Sequence, residues 1–250
     1  MKRIILFIFL FSSLIFSADN TKELLKSASS FYRDKQFYNA LSIYSNLIAK
    51  GYEDPVLFYN IANCYYKLQN WPEAILYYEK SLRLKPFFKD ASFNLKLAKN
   101  NILDKEEEFV QSPFVVIGNF ILNLFSVNGW IIIGIISFTF VCITIIILLL
   151  PSASEKLKIF MRKNFLWIFI TGLIFTGFAV TKVLVFEKIR YAIIMKEEVE
   201  VLSGPSDAFD KLLTIHKGTK VRILQTEEGW IKINVSGHEG WIKEEELEII

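Results

Sequence analysis

The sequence contains little of what most enzymes use for chemistry. Its 250 residues include only two histidines, His216 and His238, and two cysteines, Cys64 and Cys142. It has no glycine-rich phosphate loop and no metal-ligand spacing. Residues 106–108 are three adjacent glutamates, which do not form the opposed pair that acid–base catalysis needs. The sequence therefore predicts no catalytic residues, no metal and no cofactor.

The low cysteine count and the small net charge exclude two further classes, disulfide-stabilised proteins and nucleic-acid-binding proteins. Cys142 lies in a long apolar run and Cys64 in a more polar segment, so the two do not form a disulfide framework. The formal net charge of +3 is too small for a protein that binds nucleic acid. We therefore expect no nucleic-acid partner.

Apolar residues, in contrast, are abundant. They make up 52% of the chain, with 23 phenylalanines and a mean hydropathy of +0.34. Lys2 and Arg3 precede an apolar run over residues 4–16, and Ser17 and Ala18 follow it. This order is typical of a secretion signal, which we assign to residues 1–18. An uncleaved anchor is the alternative, and both interpretations export the segment that follows.

Two later runs, residues 130–150 and 165–186, are long enough to cross a hydrocarbon core of about 30 Å. Residues 151–164 between them carry Lys156, Lys158, Arg162 and Lys163, and such a basic loop prefers the cytoplasm. The sequence thus predicts a multi-pass protein of a bacterial inner membrane with both flanking domains on the outer side. Residues 111–129 form either an interfacial helix or an ordinary packed segment.

The segment before the membrane repeats its pattern of small and aromatic residues every 34 residues. Ala28, Ala40 and Tyr44 recur as Ala62, Ala74 and Tyr78. The segment resembles the tetratricopeptide repeat over residues 19–110, with repeats at about 21–54 and 55–88 and a partial copy at 89–103. Each repeat is then a pair of antiparallel helices, and the alanines mark close helix crossings. Lys96 and Lys99 in the partial copy predict a solvent-facing end of the stack.

Stacks of this kind are concave, and the first helix of each pair lines the inner face. We predict that this groove binds a protein partner through aromatic rings, amides and basic side chains. The predicted groove residues are Lys26, Arg33, Tyr59, Asn60, Asn63, Tyr66, Lys67 and Asn94. A solvated helix face without a ligand is the alternative.

Residues 192–250 change to the period of β-strands. Residues 230–235 alternate, so Ile231, Ile233 and Val235 are predicted to face a core. The string from Ser-Gly-Pro-Ser to the second Gly-Trp-Ile resembles a bacterial SH3-like domain, which implies a small all-β barrel, for which we expect five short strands. Its predicted surface residues are Trp230, Lys232 and Trp241, although half-burial of both tryptophans at the rim is the alternative. Leu202 stands where that family usually has arginine.

Taken in order, these segments predict a multidomain membrane protein with an all-α repeat stack, a two-helix transmembrane hairpin and an SH3-like barrel. This order resembles the BatE-type aerotolerance proteins. The resemblance implies membrane partners with von Willebrand A-type domains and a MoxR-type ATPase. Three functions compete: a non-enzymatic scaffold, a peptidoglycan-binding module that uses the barrel, and a transmembrane regulator. The missing arginine at Leu202 weakens the second, and the short cytoplasmic loop weakens the third.

The predicted topology is testable with alkaline phosphatase fusions, because that reporter is active only in an oxidising compartment. Fusions after Lys105 and Ile250 should be active, and a fusion after Lys158 should be inactive. The basic residues between the two apolar runs hold that loop inside. An inactive fusion at Ile250, with full-length protein present on an immunoblot, would contradict this topology.

Overall fold

The computed structural model of the protein describes residues 21–104 and 113–250. These residues form a helical stack, a short helix that leads into a two-helix hairpin, and a C-terminal antiparallel β-domain. The expected fold class, with an all-α repeat stack, two apolar helices and a small all-β domain, is confirmed. The assigned signal peptide, residues 1–18, lies outside the described residues.

Five helices form the stack: α1 over residues 21–33, α2 Phe37–Ala49, α3 Pro55–Lys67, α4 Trp71–Leu84 and α5 Lys89–Lys99. The same tight turn joins α1 to α2 and α3 to α4. Lys35 and Gln69, 34 positions apart, both adopt the left-handed conformation there, with φ of 60° and 59°. The carboxylate of Asp54 caps α3 by accepting hydrogen bonds from the N–H groups of Val56 and Leu57. The backbone therefore repeats with the period of the sequence.

Small residues lie where the paired helices cross. Ala28, Ala40, Ala62 and Ala74 are fully buried. Ser81, which stands where alanine is usual, is fully buried too, and its hydroxyl donates a hydrogen bond to the carbonyl of Pro55 at 2.7 Å. Because the hydroxyl has a partner, serine is tolerated at this crossing.

Three helices follow the stack: α6 Pro113–Asn123, α7 Val127–Leu149 and α8 Glu155–Lys188. Both α7 and α8 are long and apolar enough to cross a membrane, with mean hydropathies of 3.0 and 1.8. The expected loop over residues 151–164 is shorter than predicted, because α8 already begins at Glu155. No proline or glycine interrupts residues 155–171, so the basic segment continues the helix. The 34 residues of α8 extend about 51 Å, well beyond a hydrocarbon core.

The hairpin is held together by glycine contacts. A Cβ at Gly134 would lie 2.8 Å from Cβ of Ala179, and one at Gly172 would lie 2.5 Å from Cγ2 of Val141. Such close approach is what small residues permit between membrane helices. Gly177, in contrast, has open space where its side chain would be. The crossing therefore uses Gly134 and Gly172.

The helix α6 is fixed to the end of the hairpin. The indole N–H of Trp130 donates to the carbonyl of Leu122, and Nζ of Lys182 donates to Oδ1 of Asn123, both at 2.8 Å. Trp130 is buried between Phe125 and Phe178. Contacts from both long apolar helices thus determine where α6 lies.

The β-domain has seven strands where five were expected. They are β1 Arg190–Ile194, β2 Glu198–Leu202, β3 Lys211–His216, β4 Lys220–Glu227, β5 Trp230–Val235, β6 His238–Lys243 and β7 Leu247–Ile249. The sheet order is β3-β2-β6-β5-β4-β1-β7. Ile231, Ile233 and Val235 face the core as predicted. The domain starts at Arg190, two residues earlier than expected, because β1 follows α8 with no intervening turn signal.

The strand β1 joins the β-domain to the helical stack. Ala192 and Ile194 face the core of the β-domain, while Ile193 points the other way and packs among Ala91, Leu95 and other buried residues of the stack. The β-domain therefore covers the end of the stack. The prediction from Lys96 and Lys99 that this end faces solvent is wrong. Only Lys96 is exposed, since Lys99 pairs with Glu79 at 3.1 Å.

The two domains also approach closely at Gly218. This glycine has a φ of +87°, and a Cβ there would lie 2.5 Å from Cγ2 of Ile102. Any other residue would meet both backbone strain and a clash with the stack. The fold of the β-domain is thus adapted to the neighbouring helices.

We predict that Ala74→Arg lowers the free energy of unfolding by at least about 3 kcal/mol, because a long cation cannot be accommodated at a fully buried crossing. The measurement is urea-dependent proteolysis of the full-length protein in detergent. Ala49→Arg, at an exposed position of α2, is the control and should change little. Equal stability of the Ala74 and Ala49 variants would contradict the assigned helix crossing.

Candidate functional site

The inner face of the stack contains a small cavity of about 160 Å³. Helices α1, α2 and α3 line it. The lining residues are Ser29, Tyr32, Arg33, Tyr44, Asn60 and Asn63. The structure thus brings together three predicted groove residues, Arg33, Asn60 and Asn63. Tyr32 and Tyr44 were not predicted as site residues.

A hydrogen-bond network fixes the floor of this groove. Oδ1 of Asn63 accepts hydrogen bonds from the hydroxyl of Tyr78 at 2.6 Å and from Nδ2 of Asn94 at 3.0 Å. The same Nδ2 lies 3.4 Å from the hydroxyl of Tyr59. Burial raises the pKa of Tyr78 above its ordinary value of 10, and its hydroxyl is protonated and donates at neutral pH. Asn63 and Asn94 therefore organise the groove in addition to facing it.

The aromatic residues predicted for the groove pack within the stack. The ring of Tyr59 lies 4.9 Å from that of Phe88, and Tyr66 meets Trp71 edge-on at 5.3 Å. Both side chains are half-buried and keep part of their rings accessible.

The basic residues predicted for the groove divide into two sets. Lys26 and Lys67 are exposed and do not line the cavity, whereas Arg33 is exposed at its rim. Of the predicted cations, Arg33 is therefore the one beside the cavity.

The sequence contained a signal for the residues that were missed. Tyr44 recurs as Tyr78 one repeat later, and the hydroxyl of Tyr78 reaches the groove network. Both tyrosines recur with the repeat, as packing residues do, and both are buried. A buried tyrosine needs a partner for its hydroxyl, which is what places these hydroxyls at the polar inner face.

Of the three surface residues predicted in the β-domain, Trp230, Lys232 and Trp241, only two are accessible. Trp241 is buried, with 9% of its surface exposed, and pairs in the sheet with Leu202 and Lys232. Trp230 is half-buried, and Nζ of Lys243 lies 5.5 Å from its ring centre. Trp230 and Lys232 thus remain at the surface, where Lys232 pairs with Glu239 at 2.9 Å.

Charged residues connect the two domains around Ile193. Glu79 of α4 lies between two cations, with its carboxylate 3.1 Å from Nζ of Lys99 and 2.8 Å from Nζ of Lys220. Burial by itself raises the pKa of Glu79, but the charges and hydrogen bonds of Lys220 and Lys99 lower it by a larger amount. The pKa of Glu79 therefore lies below the ordinary 4.5. The carboxylate of Glu79 is therefore ionised in the folded protein at neutral pH.

Asp104 makes the second polar contact between the domains. Its carboxylate accepts hydrogen bonds from the backbone N–H of His216 at 2.6 Å and from the hydroxyl of Thr219 at 2.7 Å, and Nδ1 of His216 lies 2.9 Å away. Burial raises the pKa of Asp104, but these hydrogen bonds outweigh that effect and bring it below the ordinary 3.8. The end of the stack is thus held to the β3–β4 turn.

Comparisons with known proteins agree with both domain assignments. The model of the tetratricopeptide repeat matches residues 55–88, which are α3, α4 and the turn that follows. The model of the bacterial SH3 domain matches residues 197–248, from the start of β2 into β7. No curated protein matches the chain. Two domain types that usually act by binding therefore flank the apolar hairpin.

The contact at Asp104 predicts a pH dependence of stability. A carboxylate with a lowered folded pKa stabilises the protein above its unfolded pKa, and this stabilisation is lost as the pH falls through the folded value. Asp104→Asn should therefore lower the free energy of unfolding by about 2 kcal/mol at neutral pH and by less at pH 3, which lies below the ordinary 3.8, where protonation of the unfolded chain begins to remove the advantage of the carboxylate. Urea-dependent proteolysis of the full-length protein at both pH values measures this.

The control for this experiment is Asp210→Asn, an exposed carboxylate away from the interface. It should have little effect at either pH. If the Asp104 variant were destabilised equally at both pH values, the interdomain carboxylate would not be the source of the effect.

Proposed function

We propose that the protein is a non-enzymatic scaffold, anchored by α7 and α8 in a bacterial inner membrane, that binds a protein partner in the groove of its helical stack. The repeat supports binding between proteins, and the two apolar helices support the membrane location. The observation that carries the proposal is the cavity beside Arg33 and Asn60, built over a fixed polar network. Both domain types typically lack catalysis, in line with the sequence.

The groove suits an extended segment of a partner. Arg33 offers a cation and Asn60 offers an amide at one cavity, whereas the hydroxyl of Ser29 donates to the carbonyl of Leu25 at 2.8 Å. These groups bind backbone carbonyls or a carboxylate, and the neighbouring tyrosine rings cover apolar side chains. Because the network around Asn63 holds the helices in place, little order has to be gained on binding.

The topology follows from the same proposal. Two spans return the chain to the side from which it started, so the stack and the β-domain share a side of the membrane. The packing of Ile193 into the stack supports this, because two domains on opposite sides could not touch. The basic first turns of α8 favour a cytoplasmic position for the connection and an outer position for the two domains. The partners that we propose are envelope proteins of the BatE-type assembly, with von Willebrand A-type domains and a MoxR-type ATPase.

Peptidoglycan binding by the β-domain is the second candidate, since bacterial SH3 domains suggest it. Trp230 and Lys232 are the surface residues available for it. Burial of Trp241 and the apolar Leu202 opposite it reduce that surface. The groove is therefore the stronger site.

The groove is tested by Arg33→Ala combined with Asn60→Ala. Neither side chain makes a hydrogen bond or ion pair that holds the described part of the stack together, so the variant should fold. Co-purification of membrane partners from solubilised membranes should fall about tenfold, because the central polar contacts are lost. Quantitative mass spectrometry after crosslinking is the readout.

Two control variants make the result specific. Asn46→Ala with Lys50→Ala removes one amide and one cation from exposed positions in α2 and just after it, and should retain the partners. Trp230→Ala with Lys232→Ala tests the β-domain. If the partners survive the groove variant and are lost with the β-domain variant, the β-domain is the binding element and the proposal is wrong.

A further inference from the structure

We infer that the helical stack itself rests on the membrane surface, through a patch of exposed aromatic and basic residues that continues from the hairpin through α6 to α5. This inference rests on the proposed membrane span and adds a lipid contact of the soluble domain. We call the set the lipid-facing patch: Phe87, Lys89, Phe93, Lys96, Ile117 and Phe120.

The first observation is an apolar surface on α6. Ile117 and Phe120 are 57% and 58% exposed within the described part of the protein. The helix cannot move far from the hairpin, because Trp130 holds Leu122 and Lys182 holds Asn123. Only three residues separate α6 from α7. If α7 begins at the membrane boundary, α6 lies in the interfacial layer, where an apolar helix face enters the lipid.

The second observation connects the stack to this helix. The ring of Phe87, in the turn between α4 and α5, lies 6.0 Å from the ring of Phe120 and meets it edge-on. Both rings stay half-exposed or more despite this contact. Because both rings keep half or more of their surface exposed, the pair does not form a buried core. The two rings form one exposed apolar area that the stack shares with α6.

The third observation is the charge on α5, the helix that begins two residues after Phe87. In α5, Ala91, Leu95 and Ala98 face the stack, so Lys89, Phe93 and Lys96 lie together on the opposite face. Phe93 is 63% exposed, and no described acidic side chain pairs with either lysine. An exposed aromatic between two cations is suited to an interface with anionic headgroups. The occupant that fits the whole patch is therefore an anionic lipid surface.

Such a contact would set the orientation of the groove relative to the membrane. The stack is held at its end by the β-domain and at the Phe87 turn by α6 and lipid. Its groove would then face a fixed direction, which favours partners that are themselves anchored in the same membrane.

The experiment uses the full-length protein in vesicles, with the fluorophore NBD on single cysteines and nitroxide-labelled lipids as quenchers. Cys142→Ser removes one native thiol, and Cys64 stays unreactive because burial raises its pKa to about 12. The test positions are Phe87→Cys and Phe93→Cys. Tyr38→Cys, an exposed aromatic position of α2, is the matched control, and Phe140→Cys in α7 reports the span.

In vesicles that contain phosphatidylglycerol, labels at Phe87 and Phe93 should be quenched several-fold more strongly than the label at Tyr38. Quenching at Phe140 without quenching at Phe87 would overturn the inference and leave the span intact. Failure at Phe140 would overturn the proposed span and the lipid-facing patch together. Lys89→Glu with Lys96→Glu should bring Phe93 to the Tyr38 level, and unchanged quenching there would overturn the role of the lysines.

Discussion

The arrangement of the protein depends on the burial of the open end of its helical stack. A stack of helix pairs exposes an apolar face at its last member, because each pair buries its surface against the next. Here the last helix, α5, has no second helix of its own among the described residues. Strand β1 covers the exposed face with Ile193, whose complete burial contributes about 2 kcal/mol. The β-domain thus takes the place of the missing half-repeat.

The charges around Ile193 contribute more to the geometry of the contact between the two domains than to its strength. An ion pair removed from water gains little over its loss of hydration, so the Glu79 contacts to Lys99 and Lys220 add little net stability. Each charge left without its partner would be unfavourable, however, which penalises any other docking geometry. Asp104 adds both stability and specificity at the β3–β4 turn, where it accepts hydrogen bonds from His216 and Thr219. The apolar contact and the hydrogen bonds of Asp104 provide the stability, and the ion pairs of Glu79 provide the specificity.

The groove also contains two kinds of residue, those that fix its shape and those that we propose contact a partner. Asn63, Asn94 and Tyr78 are joined by hydrogen bonds and determine the shape of the inner face. Arg33 and Asn60 lie at the cavity without such a structural role, and we propose that they meet the partner. A fixed floor and accessible rim groups are properties of a binding surface. With the domains joined next to the hairpin, this surface is held close to the proposed membrane span.

The sequence by itself determined the helix pairs, the two apolar helices and the inward face of β5, although five strands were expected where the structure has seven. The 34-residue period identified the helix pairs, since a fully buried alanine such as Ala74 leaves a regular mark, and strict alternation identified Ile231 and Ile233 as core residues. The apolar runs marked both long helices because a span of that length is rare elsewhere. These signals are local, and each can be recognised from neighbours along the chain.

Only the tertiary structure decided what lies against what. Ile193 is one apolar residue in an apolar run, and nothing local indicates that it leaves its own domain to pack on α5. In the same way, Lys99 looks like a surface lysine until Glu79 and Lys220 are placed beside it. Tyr44 looks like a packing residue until its position beside the cavity is known. These roles depend on contacts between distant segments, and such contacts follow from the packing of the whole chain rather than from any local period.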